Sequence, residues 1–201
     1  MRRAIASALL ALLLIGQTHS SDQKIKSKDE ANNKLYHQWH SICLTGDTDQ
    51  IDAQIRRYQA RLKINPNDQL AQVYLGSACA LRAKASFWVF TKLKHLKIGQ
   101  KHMDDAVLKA PTKPRVRLIR AIASYKVPKN FGRRKIAVAD FEKLVPIAAN
   151  IHSDLADNER QVTLYYAWLT FKDEKHPQAN KTKRLCHKIA PTSKYGKLTK
   201  P

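Results

Sequence analysis

Acidic residues are scarce in this chain of 201 residues: 16 Asp and Glu stand against 37 Lys and Arg, a formal net charge of +21. A surplus of that size draws anionic partners, whether acidic proteins, anionic lipid headgroups or nucleic acid. Glycine is also scarce, with six in all, and no stretch alternates apolar and polar residues long enough to make a strand. Three cysteines, Cys43, Cys79 and Cys186, are too few for a disulfide framework. They read as small buried hydrophobes, with one Cys43–Cys79 bridge as the alternative in an oxidising compartment. Enzyme signatures are missing: there is no Gly-rich phosphate loop, no HExxH and no Gly-x-Ser-x-Gly. Asp104 and Asp105 are adjacent, so on a helix they point in different directions. These gaps lead us to expect neither catalysis nor a cofactor.

Long hydrophobic runs are absent as well. The longest, ALLALLLI at 8–15, is well short of the about 20 apolar residues that span a bilayer. Preceded by MRR and followed by QTHS, it has the three-part form of a secretory signal peptide, with cleavage expected after Ser20. The expected organisation is a signal peptide at 1–20, a flexible N-terminus at 21–29, a folded domain at 30–190 and a basic tail at 191–201. Export to the periplasm or beyond makes nucleic acid the least natural of the three anionic partners.

What remains is helical. Ile51, Ile55, Tyr58 and Leu62 share one helical face, as do Val116, Ile119, Ile122 and Ala123. Turn clusters at NPND (65–68), APTKP (110–114), VPKNFG (127–132) and KHPQ (175–178) divide the chain. The spacing predicts helices near 30–45, 49–64, 68–84, 87–109, 114–126, 133–145, 158–172 and 177–189. Asn67 is the expected cap of the third. Pro146 is expected to end the sixth or to start a short extra helix through IAANI.

Three segments close alike, INP at Pro66, KAP at Pro111 and IAP at Pro191, and small residues stand at matching places upstream, Gly76, Ala121 and Ala167. With Pro191 as the closing residue, Ala167, Ala179 and Cys186 fall where a 34-residue unit has small side chains. With Pro111 closing, Gly99 and Ala106 do so, and Gly76 follows once 11 residues are removed. In this the chain resembles the tetratricopeptide repeat family, and its YLGSA…FW…AP…RLIRA…FGRRK series is similar to a group of exported bacterial repeat proteins. The resemblance covers roughly 30–190. It implies an all-α, right-handed solenoid of about four antiparallel helical hairpins, in which stacking supplies the core that one hairpin lacks. It also implies a non-catalytic protein- or peptide-binding scaffold or adaptor of the bacterial envelope. The positive charge points to an acidic partner.

Carried onto this sequence, the family's inner, concave face comprises Leu70, Val73 and Ser77, then Arg115, Leu118, Ile122, Tyr125 and Lys126, then Gln161, Leu164, Trp168, Phe171 and Lys172. Two other constellations compete. The surplus between the two halves of the second unit carries Phe87, Trp88, Phe90, Leu93 and Leu96 interleaved with Lys92, Lys94 and Lys97, a basic amphipathic pattern suited to a membrane surface. The same pattern is equally expected of a helix that packs its apolar side over a neighbouring hairpin, and that role ranks slightly ahead of docking. About three helical turns of surplus preserve the face that follows, so this pair is expected to stand proud with its aromatics near the tip. His37, His40 and Cys43, three residues apart, could ligate Zn or Cu from one helix face, although no fourth ligand is evident. In FGRRK (131–135), three cations occupy a helix start, where the dipole favours anions. Asp140 and Glu142 are their favoured partners, with an acidic group of a binding partner as the alternative.

Overall fold

The computed structural model describes residue 27 and residues 29–200. The segment read as a signal peptide, with most of 21–29, lies outside the described residues. Those described form helices and turns with no strand.

Local chemistry sets each start. Helix α1 covers 29–43. Helix α2, Thr48–Ile64, begins where the Asp47 carboxylate accepts the Gln50 N–H at 2.8 Å. Helix α3, Gln69–Ala85, is capped in the same way by Asp68, which accepts from Ala71 N–H at 2.9 Å. Asp68 thus takes the role expected of Asn67, because it also accepts the Tyr36 hydroxyl at 2.6 Å and so ties the cap to α1. Helix α4, Val89–Lys109, is 21 residues long. Helix α5, Pro114–Lys126, starts on proline, whose missing N–H costs nothing there. A 3-10 turn, Lys129–Phe131, and Gly132 at φ +71° lead into α6, Arg134–Ala149.

Pro146 neither ends α6 nor starts another helix. It lies on the exposed side, where the carbonyl it leaves unpaired faces solvent, while Leu144, Val145 and Ala148 stay buried on the other side. Helices α7, Asp157–Asp173, and α8, Ala179–Ile189, complete the regular elements. The segment read as a basic tail folds back as a short helix α9, Lys194–Leu198. Ser193 caps it, and Tyr195 lies 4.7 Å from the Tyr165 ring.

Successive helices pack on one another from α2 to α9, and the odd-numbered helices also touch in order, α3 with α5 and α5 with α7. One core lies among α5, α6, α7 and α8, built on Phe141, Leu144, Leu164 and Phe171. Another joins α1, α2 and α3 around Tyr36, Tyr58 and Tyr74. All three cysteines are buried free thiols, with no Cys43–Cys79 bridge.

The α3–α4 crossing depends on glycine. A Cβ on Gly76 would lie 2.6 Å from the Gly99 carbonyl oxygen, and one on Gly99 would lie 2.5 Å from the Gly76 carbonyl oxygen. The two backbones are in direct contact, so only hydrogen fits at either position. The α5–α6 pair is held differently. Asp140, 1% exposed on α6, accepts from Arg117 at 2.8 Å and from Arg120 at 2.7 and 2.8 Å. Arg120 and Arg133 extend the chain of charges to Asp104 on α4, at 3.3 and 2.8 Å.

Candidate functional site: a cleft between α1 and the α3–α5–α7 row

A cleft of about 1230 Å³ lies between α1 and the row of α3, α5 and α7. It exceeds the about 300–1,000 Å³ of ordinary small-molecule pockets. Its floor is apolar: Leu81 from α3, Leu118, Ile119 and Ile122 from α5, and Val162 and Tyr166 from α7. On α5 and α7 these positions recur at three and four, which is why both helices turn an apolar stripe to the same space.

One end is closed by charge. Arg115, at the start of α5, makes a two-pronged pair with Glu159 at 2.7 and 2.8 Å and reaches Glu30 of α1 at 3.2 Å. Asn33 of α1 donates to the same Glu159 carboxylate at 3.3 Å. Burial alone would raise the Glu159 carboxyl. The Arg115 hydrogen bonds, the Ala156 N–H and Asn33 outweigh it and hold the carboxyl below its ordinary range. The other end is cationic. Lys84 at the end of α3, Lys92 near the start of α4 and Lys126 at the end of α5 line it, beside Phe131. Lys126 Nζ lies 5.1 Å from the centre of the Tyr166 ring, within range of a cation–π attraction.

Between the ends, His40 shares a 2.8 Å hydrogen bond with Ser77 and lies 5.4 Å from the Tyr74 ring. Burial, assisted by the neighbouring His37, pushes the His40 pKa down to about 4. The imidazole is therefore neutral at physiological pH and serves as a polar wall. His40 and Ser77 thus set a neutral imidazole against a hydroxyl on the cleft wall.

Of the α5 face expected from the sequence, Arg115, Leu118, Ile122 and Lys126 line the cleft. Tyr125 turns away, donates to Asp173 at 3.1 Å and carries the Arg134 guanidinium at 4.2 Å from its ring centre. On α7 the expected face is rotated. Asn158, Glu159, Val162 and Tyr166 line the cleft in place of Gln161, Leu164, Trp168, Phe171 and Lys172. Gln161 is buried because its amide donates to the Ala190 carbonyl at 3.0 Å and its oxygen accepts from Ser193 at 2.8 Å, fixing the α8–α9 junction. Phe171 is buried against His176, with ring centres 4.2 Å apart. Trp168 sits with Tyr165 and with Lys172 and Lys183 instead. On α3, Val73 is core and Ser77 lines the cleft.

The metal constellation does not assemble. His37 faces the cleft and His40 is bound to Ser77. Cys43 is turned into the α1–α3 core, where burial pushes its thiol up to about 11 and keeps it protonated. Among the described residues, no group of three or more His, Cys, Asp and Glu is placed to hold a metal ion. The two arginines of FGRRK find partners within the chain, but other ones than expected. Arg133 pairs with Asp104 and Arg134 reaches Asp173 at 3.6 Å, because Asp140 is already committed to Arg117 and Arg120.

Sequence reasoning missed α1 as a wall of the cleft. Its contributions, Glu30, Asn33, Lys34, His37 and His40, lie on one helix stripe, with Leu44 just past its end. That periodicity was readable, but its opposing surface was not. The fold and site together define an all-helical arrangement of the described residues around a cleft with an apolar floor and lysines along its lining. Compared with protein-family models, curated proteins and solved structures, the chain matches none.

Proposed function

We propose that this chain is a non-catalytic binding scaffold of the bacterial envelope, built as a short tetratricopeptide-like solenoid of helical hairpins, whose cleft takes an acidic segment of a partner protein. The observation that carries the reading is the cleft itself: an apolar floor long enough for several side chains, closed at one end by the Arg115–Glu159–Glu30 cluster and lined at the other by Lys84, Lys92 and Lys126. Apolar side chains of a bound segment would fill the floor, and its carboxylates would meet the lysines. Charge of that kind governs encounter and register more than affinity. The Gly76–Gly99 contact also supports the repeat reading, since both stand at small-residue places of the expected unit. Export rests on the apolar run at 8–15.

The reading is tested with a synthetic peptide array that varies carboxylate number and apolar spacing, followed by titration calorimetry on the best binders. Binding is expected to favour peptides with both carboxylates and apolar residues, to weaken with salt, and to fall about tenfold in Lys84→Glu/Lys126→Glu. Equal binding of neutral and acidic peptides, or no loss in that variant, would refute the cleft as an acidic-segment site.

A further inference from the structure

The α3–α4 turn bears the most exposed apolar cluster among the described residues. Phe87 is 87% exposed, Trp88 73% and Phe90 88%, and Val89 between them is exposed as well. Four consecutive apolar residues at a tip are a costly arrangement in water. They stay exposed among the described residues. Phe87 and Trp88 meet edge to face at 5.6 Å. The turn beneath is nonetheless well fixed. Ser86 bonds back to the Arg82 carbonyl at 2.7 Å and accepts from the Arg82 guanidinium at 2.8 Å, while Ala83, Leu96 and Val127 pack under it. The aromatics are therefore held out on a built support.

The surrounding charge is of one sign. From Leu81 to Met103 the sequence contains no Asp or Glu. Lys84 flanks the tip on α3, and on α4 Phe90, Lys94, Lys97 and Lys101 follow at i, i+4, i+7 and i+11 along one exposed face. The nearest carboxylates are engaged elsewhere: Asp52 with Arg82 at 2.9 Å, Asp105 with Lys101 at 2.6 Å, and Asp104 with Arg120 and Arg133. Aromatic side chains at an apex, backed by lysines with aliphatic stems, fit the boundary between acyl chains and headgroups. Such a collar is attracted to a negatively charged leaflet.

We propose that the α3–α4 tip docks this protein on an anionic lipid surface, with Phe87, Trp88 and Phe90 inserted at the headgroup–acyl boundary and Lys84, Lys94 and Lys97 against lipid phosphates. A second chain or a protein partner fits less well, because a tip of four residues is too small to bury the about 800 Å² per partner of a stable interface. The tip's aromatics lie outside the acidic-segment cleft, and because Lys84 is common to both, the aromatic triple variant and Trp88→Phe are the arms that distinguish tip docking from that reading. Because Lys84 and Lys92 also line the cleft, docking at the tip would bring the cleft's cationic end close to the membrane.

The test uses the full chain with vesicles of phosphatidylcholine, with and without phosphatidylglycerol, by flotation and by tryptophan quenching with bromine-labelled acyl chains. Binding is expected only with phosphatidylglycerol. It should weaken more than about tenfold in Phe87→Ser/Trp88→Ser/Phe90→Ser and about a hundredfold in Lys84→Glu/Lys94→Glu/Lys97→Glu. The substituted side chains are surface residues, so unchanged helical circular dichroism checks the fold of both variants. Bromine quenching should disappear in Trp88→Phe, which separates insertion of the tip from binding through the apolar run at 8–15. Quenching that persists in Trp88→Phe would overturn the proposal. So would equal binding to phosphatidylcholine alone, or lipid-independent self-association abolished by the aromatic triple variant.

Discussion

The α3–α4 and α5–α6 pairs solve the same problem, bringing two helices together, by opposite means. In α3–α4 the side chains are removed where the helices cross, and Gly76 and Gly99 let backbone meet backbone. In α5–α6 the charges are kept and buried, with Asp140 held between Arg117 and Arg120. The first solution depends on shape and tolerates no added atom. The second depends on electrostatic balance and tolerates no lost partner. They also end differently. The α5–α6 connection folds over itself through Val127, Pro128 and Gly132, and Val127 is buried. The α3–α4 connection projects its aromatics outward. A close crossing that needs no side chains leaves the rest of the long α4 free to carry surface chemistry.

Breaking each device should give a graded series. The largest effect is expected for Asp140→Ala, which leaves two arginines in a buried site without their carboxylate. A loss of about 3–5 kcal/mol in urea unfolding is expected, and Asp140→Asn should recover only part of it. Next comes Gly76→Ala. The methyl must displace the Gly99 carbonyl or Met103, at a cost of about 2–3 kcal/mol, despite the better helix propensity of alanine. A Gly76→Ala protein as stable as the parent would show that the crossing is looser than its geometry.

Acid should act on the α1–α3 side. Between pH 6.5 and about 4, the unfolded His40 takes up a proton that the folded imidazole, held near Ser77 and Tyr74, refuses. Stability is then full above about pH 6.5 and declines by about 3 kcal/mol as pH falls to about 4. His40→Gln should flatten that slope in denaturation curves measured across the range. Glu159 adds a further loss at lower pH, since its depressed carboxyl stabilises the fold only while ionised. The smallest effect is expected at the tip. Phe87→Ser/Trp88→Ser/Phe90→Ser should change stability by no more than about 0.5 kcal/mol, because these side chains are largely exposed. A large loss there would mean that the tip supports the fold.

Much of this was readable in advance, and the particular failures have physical reasons. The helices followed from the 3.6-residue spacing of apolar positions. The exposed position of Phe87, Trp88 and Phe90 matches the tip expected from a surplus of 11 residues. The cleft-facing residues of α5 were largely found, because a helix with neighbours on several sides shows its stripe clearly. On α7 the expected face was wrong by a rotation. Gln161 and Phe171 were assigned to a binding surface, yet α8 and α9 claim them, and no local signal in α7 reports what docks on it. The partners of Arg133 and Arg134 failed similarly. Nearness in sequence favoured Asp140 and Glu142, while α4 and α7 supplied Asp104 and Asp173.

The sequence by itself determined the helical class, the turns that cut the chain, the small residues at Gly76 and Gly99, and the excess of positive charge. All of these are local or compositional quantities, written in spacings of a few residues. Only the tertiary structure decided that α1 forms a wall of a cleft, that Arg115 is tied to Glu30 and Glu159, and that Glu159 also meets Asn33. That last pair is separated by 126 residues. Contacts at such separation leave no periodic trace in the chain. They are fixed by which buried surfaces and unpaired charges remain once every helix has formed.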